Sequence, residues 1–187
     1  RRIRLGPTIL SLSRSLMDRY SLRNAIRPFL EKMMEETGEC AHLAVASGGK
    51  ALYIDQAESP HTLRVNADIG TMNPLHCTAL GKILLAYGAA DIPNELELFT
   101  PRTITDRAVL QAHLEDVRHQ GYALDIEEFD ADISCAAVPI FDTNRNVVAA
   151  IGISGPSSRL TDTALEEITA RVMKIGTELA ENLPPAL

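Results

Sequence analysis

Apolar positions along the chain recur first at helical spacing and then in alternation. Ile9, Leu10, Leu12, Leu16 and Met17 form one stripe, which predicts a helix up to about Tyr20. Ser21 is suited to cap a second helix carrying Ile26, Phe29, Leu30, Met33 and Met34 and ending at Gly38. Pro28 falls inside it, and the donor it lacks is expected to kink the helix or begin a new turn. From Cys40 the period becomes two. His42-Leu-Ala-Val-Ala-Ser47 and Ala51-Leu-Tyr-Ile-Asp-Gln56 flank a Gly48-Gly49 turn and predict a β-hairpin, and Leu63-Arg-Val-Asn-Ala67 reads as a third short strand.

A loop closed by Pro74 then runs into a second helical repeat of Leu75, Ala79, Leu80, Ile83 and Leu84, lasting to about Tyr87. Its first turn, from about His76 to Leu80, offers unpaired N–H groups and the positive end of a dipole beside the small Cys77, Thr78 and Ala79 side chains. Such a turn can receive a carboxylate or phosphate, although most amphipathic helices bind nothing there. Asp91 to Phe99 reads as a short helix and a surface loop. Thr103 to Asp106 opens a helix with Val109, Leu110, Leu114 and Val117 on its inner face, His113, Glu115, Arg118 and His119 solvated, and Gly121 as its stop. Three strands follow, Tyr122 to Ile126, Cys135 to Phe141 and Val147 to Ser154, the last two joined by the Asp142 to Asn146 turn. A final helix spans about Thr161 to Leu183, capped by Thr163 with Glu166 or by Thr161 or Asp162. This order predicts an α+β fold on a largely antiparallel sheet.

Composition narrows the class. The 187 residues are 45% hydrophobic, enough for one domain with a real core, and the formal charge of -7 opposes nonspecific binding of nucleic acid by this chain itself. No apolar run reaches membrane-spanning length, so no membrane contact is expected and the cytoplasm is the expected compartment. Cys40, Cys77 and Cys135 lie far apart, as free thiols in a reducing environment would. Arg1, Arg2 and Arg4 crowd a start that lacks an initiating Met, which suggests a piece of a longer protein.

Candidate chemistry is sparse. Asp125 interrupts an apolar strand, and alternation puts it on one face with Glu127, opposite Leu124 and Ile126. That face is either solvated or a cavity wall. Cys135 and Ser154, at strand ends, suit a small polar ligand, whereas an unpaired cysteine is most often an inert small hydrophobe. His76, Cys77, Asp125 and Cys135 are zinc-ligand types, but no pair has the close spacing of a recognisable site. No nucleophile elbow or phosphate loop is present, and His76 and Cys77, adjacent on a helix, point in different directions. Neither catalysis, nor a cofactor, nor a resident metal is expected.

Five blocks, Leu5-Gly-Pro-Thr-Ile-Leu10, Pro74-Leu-His-Cys-Thr-Ala-Leu-Gly-Lys82, Gly121-Tyr-Ala-Leu-Asp-Ile-Glu-Glu128, Cys135-Ala-Ala-Val-Pro-Ile140 and Ile151-Gly-Ile-Ser-Gly-Pro-Ser-Ser-Arg-Leu160, resemble in order and spacing the IclR family of bacterial transcriptional regulators. The resemblance implies a GAF-like (profilin-like) effector-binding domain over residues 21–187 with a six-stranded sheet flanked by helices. Residues 1–20 would be the linker helix from an N-terminal winged helix-turn-helix domain that this chain lacks. It further implies a small organic acid as effector, DNA as a partner only through the missing domain, and a homodimer or homotetramer. Carried over, the pocket would use Thr78, Ala79 and Leu80, then Asp125, Cys135, Gly152 and Ser154, with Met72, Leu75 and Cys77 beside them and Arg64 reaching an acidic ligand. Relatives can have glycine at position 79 and serine at position 152; losing that hydroxyl counts against a small keto acid. The competing implications are a metal-binding or catalytic GAF-like domain acting on a small acid, and a pure oligomerisation module.

Overall fold

The computed structural model describes residues 8–182, with side chains from residue 22 onward. The elements run α1 (Thr8–Thr37), β1 (Cys40–Ser47), β2 (Lys50–Ala57), β3 (Met72–Asn73), α2 (Ala79–Ala86), α3 (Arg107–Gln120), β4 (Ala123–Ile126), β5 (Ile133–Phe141), β6 (Val147–Pro156) and α4 (Asp162–Asn182). One sheet, ordered β3-β2-β1-β6-β5-β4, is antiparallel at every pairing. The α+β expectation and the six-stranded sheet hold. The apolar stripe before Tyr20 and the end of the last helix at Leu183 lie outside the described side chains.

Helices cover both faces. On one, Ile26, Leu30 and Met33 of α1 and Leu165, Val172 and Ile175 of α4 bury against Leu43, Val138 and Ile151. On the other, α2 and Leu110, Leu114 and Val117 of α3 close over Ala44, Ala137 and Ala150. Strand β6, covered on both sides, is buried along nearly its whole length, which is why Val147-Val-Ala-Ala-Ile-Gly-Ile153 is apolar without alternation.

Four local expectations are overturned. The two N-terminal helices are one, and α1 runs through Pro28 unbroken. Pro28 and Asn24 are both solvent-exposed, so the Asn24 carbonyl that loses its donor faces water. Leu63 to Ala67 forms no strand, because the free edge of β2 is taken by Met72 and Asn73, and Leu63 is left 67% exposed. No helix forms between Asp91 and Phe99. On α3, Val109 faces solvent and His113 is half-buried, the reverse of the expected faces.

Candidate functional site

Apart from Lys82, helix α2 is apolar, and it is buried along its eight residues, so its start is fixed inside the protein. Gly81 is required there: a Cβ would lie 2.4 Å from the Leu75 carbonyl oxygen. Thr78 is the N-cap, its hydroxyl donating to the Pro74 carbonyl at 2.7 Å and accepting from the Gly81 N–H at 3.2 Å. The Ala79 and Leu80 N–H groups, in the first turn, have no partner within the helix.

This helix start faces a polar row on the sheet. Asp125, Cys135 and Ser154 sit directly opposite one another on β4, β5 and β6, and the Cys135 thiol lies 3.3 Å from the Ser154 hydroxyl. The row and the helix start bound a cavity of about 300 Å³ whose wall also includes His42, Tyr53, Asn73 and the loop from Val65 to Asp68. Of the ten expected site residues, Thr78, Ala79, Leu80, Asp125, Cys135 and Ser154 therefore meet in one place. Met72, Leu75, Cys77 and Gly152 do not line it. Met72 is exposed on β3, Leu75 and Cys77 are fully buried, and Gly152 packs against Ala137 with no room for a side chain. Arg64 turns outward to Glu58 at 3.1 Å.

Three aspartates, Asp68, Asp125 and Asp130, line the cavity, and among the described residues no lysine or arginine does. Asp125 is 2% exposed and accepts a 2.8 Å hydrogen bond from the Glu128 N–H. Burial pushes its carboxyl up to about 7, against the pull of that N–H and of the Lys82 ammonium. The cation stays out of reach of the cavity because Lys82, fully buried on α2, is paired with Glu128. Strand β4 ends at Ile126, and Glu127 adopts a left-handed backbone with φ of 59°. This breaks the expected alternation: Glu127 leaves the Asp125 face to meet Arg102 at 3.4 Å, and Glu128 turns inward. The Thr100 and Thr103 hydroxyls donate to the Glu127 and Glu128 carbonyls, each at 2.6 Å, and pin the loop there.

Thiol chemistry is disfavoured by the same burial. Cys77 is pushed up to about 12, by burial first and Asp125 second, and Cys135 is raised as well, so neither is a ready thiolate. His76 turns to the Glu97 carbonyl at 3.0 Å, away from Cys77, and among the described residues no cluster of three or more metal-ligand side chains forms.

Sequence reasoning missed His42 and Tyr53 on the hairpin and the Val65 to Asp68 loop. One signal was available: alternation puts His42 on the same face as Ala44 and Ala46, a polar ring among small side chains. The loop gave none, since it is placed by the Gly70 N–H bonding the Tyr53 carbonyl and the Thr71 carbonyl accepting from the Tyr53 N–H.

Residues 14–181 match the family described as bacterial transcriptional regulator IclR, C-terminal. The chain is 37% identical over 187 residues to the HTH-type transcriptional regulator BhcR of Paracoccus denitrificans, covering 97% of this chain and 67% of that protein. It is 33% identical to the transcriptional repressor IclR of Escherichia coli, covering 94% of this chain and 67% of that one. Among solved structures, IclR of Thermotoga maritima superposes with a TM-score of 0.81 at 32% identity, over 94% of this chain and 74% of that one. The C-terminal domain of the Escherichia coli regulator KdgR gives 0.74 at 30% identity, over 87% and 98%.

Proposed function

The chain belongs to the IclR family of bacterial transcriptional regulators, not to a family of enzymes, and from that premise we propose that it is a regulator's effector-binding and oligomerisation domain, taking a small organic acid in the cavity at the start of α2. The observation that carries the reading is the convergence on one cavity of the α2 N-terminus with Asp125, Cys135 and Ser154, three residues from three strands. The acid's carboxylate sits at the Ala79 and Leu80 N–H groups, where the helix dipole favours negative charge. Its second oxygen meets the polar row. Residues 21–187 act as this domain and residues 1–20 as the linker, in the cytoplasm, as part of a homodimer or homotetramer. DNA is contacted by a winged helix-turn-helix domain outside this chain.

With no cation on the cavity wall among the described residues, the ligand's charge is repelled by an ionised Asp125, so binding takes up a proton there. Affinity then stays flat below about pH 7 and weakens by about tenfold per pH unit above it. Asp125→Asn removes that dependence. Calorimetric titration of small hydroxy and oxo acids at pH 6 and pH 8 checks this, and affinities that Asp125→Asn leaves unchanged for every acid remove Asp125 from the site.

A route to the linker exists in β2. Tyr53 faces the cavity, and two residues on, past a bulge, Asp55 holds Arg23 and Arg27 of α1 at 2.9 and 3.0 Å. Occupancy of the cavity shifts the position of β2 against α1, and thereby the population of two linker arrangements. Scattering curves of the dimer or tetramer that coincide with and without a saturating acid overturn this step.

A further inference from the structure

His42 stands in the middle of the sheet, opposite Gly152 on β6 and Gln56 on β2, and is 1% exposed. Its ring meets Tyr53 edge-on, with centroids 5.6 Å apart at 68°. Burial lowers its pKa to about 4, so at neutral pH it is an uncharged imidazole with one donor nitrogen and one acceptor nitrogen. Neither ring nitrogen has a hydrogen-bond partner among the described residues. Buried polar atoms are nearly always paired, and an orphaned pair on one ring is a standing cost that a phenyl ring would not carry. The ring lines the cavity, on the side where β2, β3 and the Val65 to Asp68 loop contribute Tyr53, Asn73 and Asp68.

We propose that His42 is the cavity's selectivity residue, its ring completed by a hydroxyl or carbonyl oxygen that the ligand carries in addition to its carboxylate. The proposal rests on the small-acid reading and adds the second recognition point. The polar row and α2 hold the acid end, and His42 distinguishes an oxygenated acid from its plain alkyl counterpart. A partner-free imidazole is then a selective device: an acid without the extra oxygen enters but leaves the ring unpaired, so it gains nothing over a cavity lined with phenyl.

The test compares butanoate with 2-, 3- and 4-hydroxybutanoate on the chain and on its His42→Phe and His42→Asn variants, by calorimetry at pH 6. The expected result is that wild type prefers at least one hydroxy acid over butanoate by about tenfold, the worth of one hydrogen bond. His42→Phe should lose the preference, binding butanoate and the hydroxy acids alike, and His42→Asn, which keeps a donor, should recover part of the preference. A purely structural histidine would make the phenyl variant melt lower; the recognition role predicts a melting temperature equal to wild type or higher by about 2–4 °C. The wild-type protein gives an independent readout, because the preferred hydroxy acid should shift the His42 ring ¹⁵N resonances and butanoate should not. A preference that survives His42→Phe, ring resonances unmoved by any acid, or equal affinity of wild type for all four acids overturns the proposal. Failure of wild type to bind any of the four overturns the small-acid reading itself, and the proposal with it.

Discussion

Asp55 and Asp125 are the same residue type, 1% and 2% exposed, on opposite faces of one sheet, and the protein treats them in opposite ways. Asp55 faces α1, where two guanidinium groups and the Gln56 N–H meet its oxygens. Asp125 faces the cavity with backbone N–H groups of the Glu128 turn and, among the described residues, no bound cation, and its carboxyl is pushed up to about 7 by burial. A buried carboxylate supplied with cations fastens two elements together. A buried carboxylate left without one costs stability in its charged form, and burial shifts it toward the protonated form. His42, with its two unpaired ring nitrogens, belongs with Asp125 on the same cavity. Glu128 lies between the extremes, since its charge is met by Lys82 while its Oε2 has no hydrogen-bond partner.

The largest effect comes from moving Glu128 into the condition of Asp125. Lys82→Met leaves the Glu128 carboxylate buried without its cation and should cost about 3–5 kcal/mol in urea denaturation, most of it recovered by adding Glu128→Gln. Full stability in the single variant would show that burial alone does not penalise a carboxylate at the start of this loop. Asp55→Ala should cost less, about 1–3 kcal/mol, because Arg23 and Arg27 are 31% and 42% exposed and can turn to water.

Asp125→Asn should have the opposite sign. A carboxyl whose folded pKa lies above its unfolded value binds more protons in the native state, so wild type loses stability as pH rises from about 4 through about 7. Asparagine has no such loss, so the variant should gain on wild type as pH rises, ending more stable at pH 8 and no more stable at pH 4. His42 works against this in part of the same window. Its lowered pKa makes wild type gain stability as pH rises from about 4 to 6.5, so His42→Phe should steepen the decline that Asp125 causes. Melting temperatures across pH 4 to 8 for wild type and the two variants read both slopes, and an Asp125→Asn curve parallel to wild type would show that Asp125 carries no such burial cost.

Much of this was legible in the chain. The hairpin of β1 and β2, the three C-terminal strands, α4 and the antiparallel α+β class follow from periodicity and turn residues, because each is set by neighbours within a few positions. Asp125, Cys135 and Ser154 stood out as polar or reactive side chains in apolar strands. Other features depended on distant partners. Pro28 is tolerated because its side of α1 meets water, and Leu63 to Ala67 fails to pair because Met72 and Asn73 already occupy the edge. Glu127 leaves its expected face because one left-handed residue ends the alternation.

The sequence by itself determined most of the elements, the family and six residues of the cavity wall, since local spacing decides which side chains share a face and motif order decides kinship. Only the tertiary structure decided what those side chains meet. Tyr53 and Asp55 are two residues apart and should share a face, yet a bulge opposite Leu43 and Ala44 sends one to the cavity and the other to α1. His42 and Asp125, far apart in the chain, line one hollow because β1 and β4 flank the pair β6 and β5 in a single sheet. Register and strand order are long-range properties, and they alone determine which buried charge finds a partner within the chain and which does not.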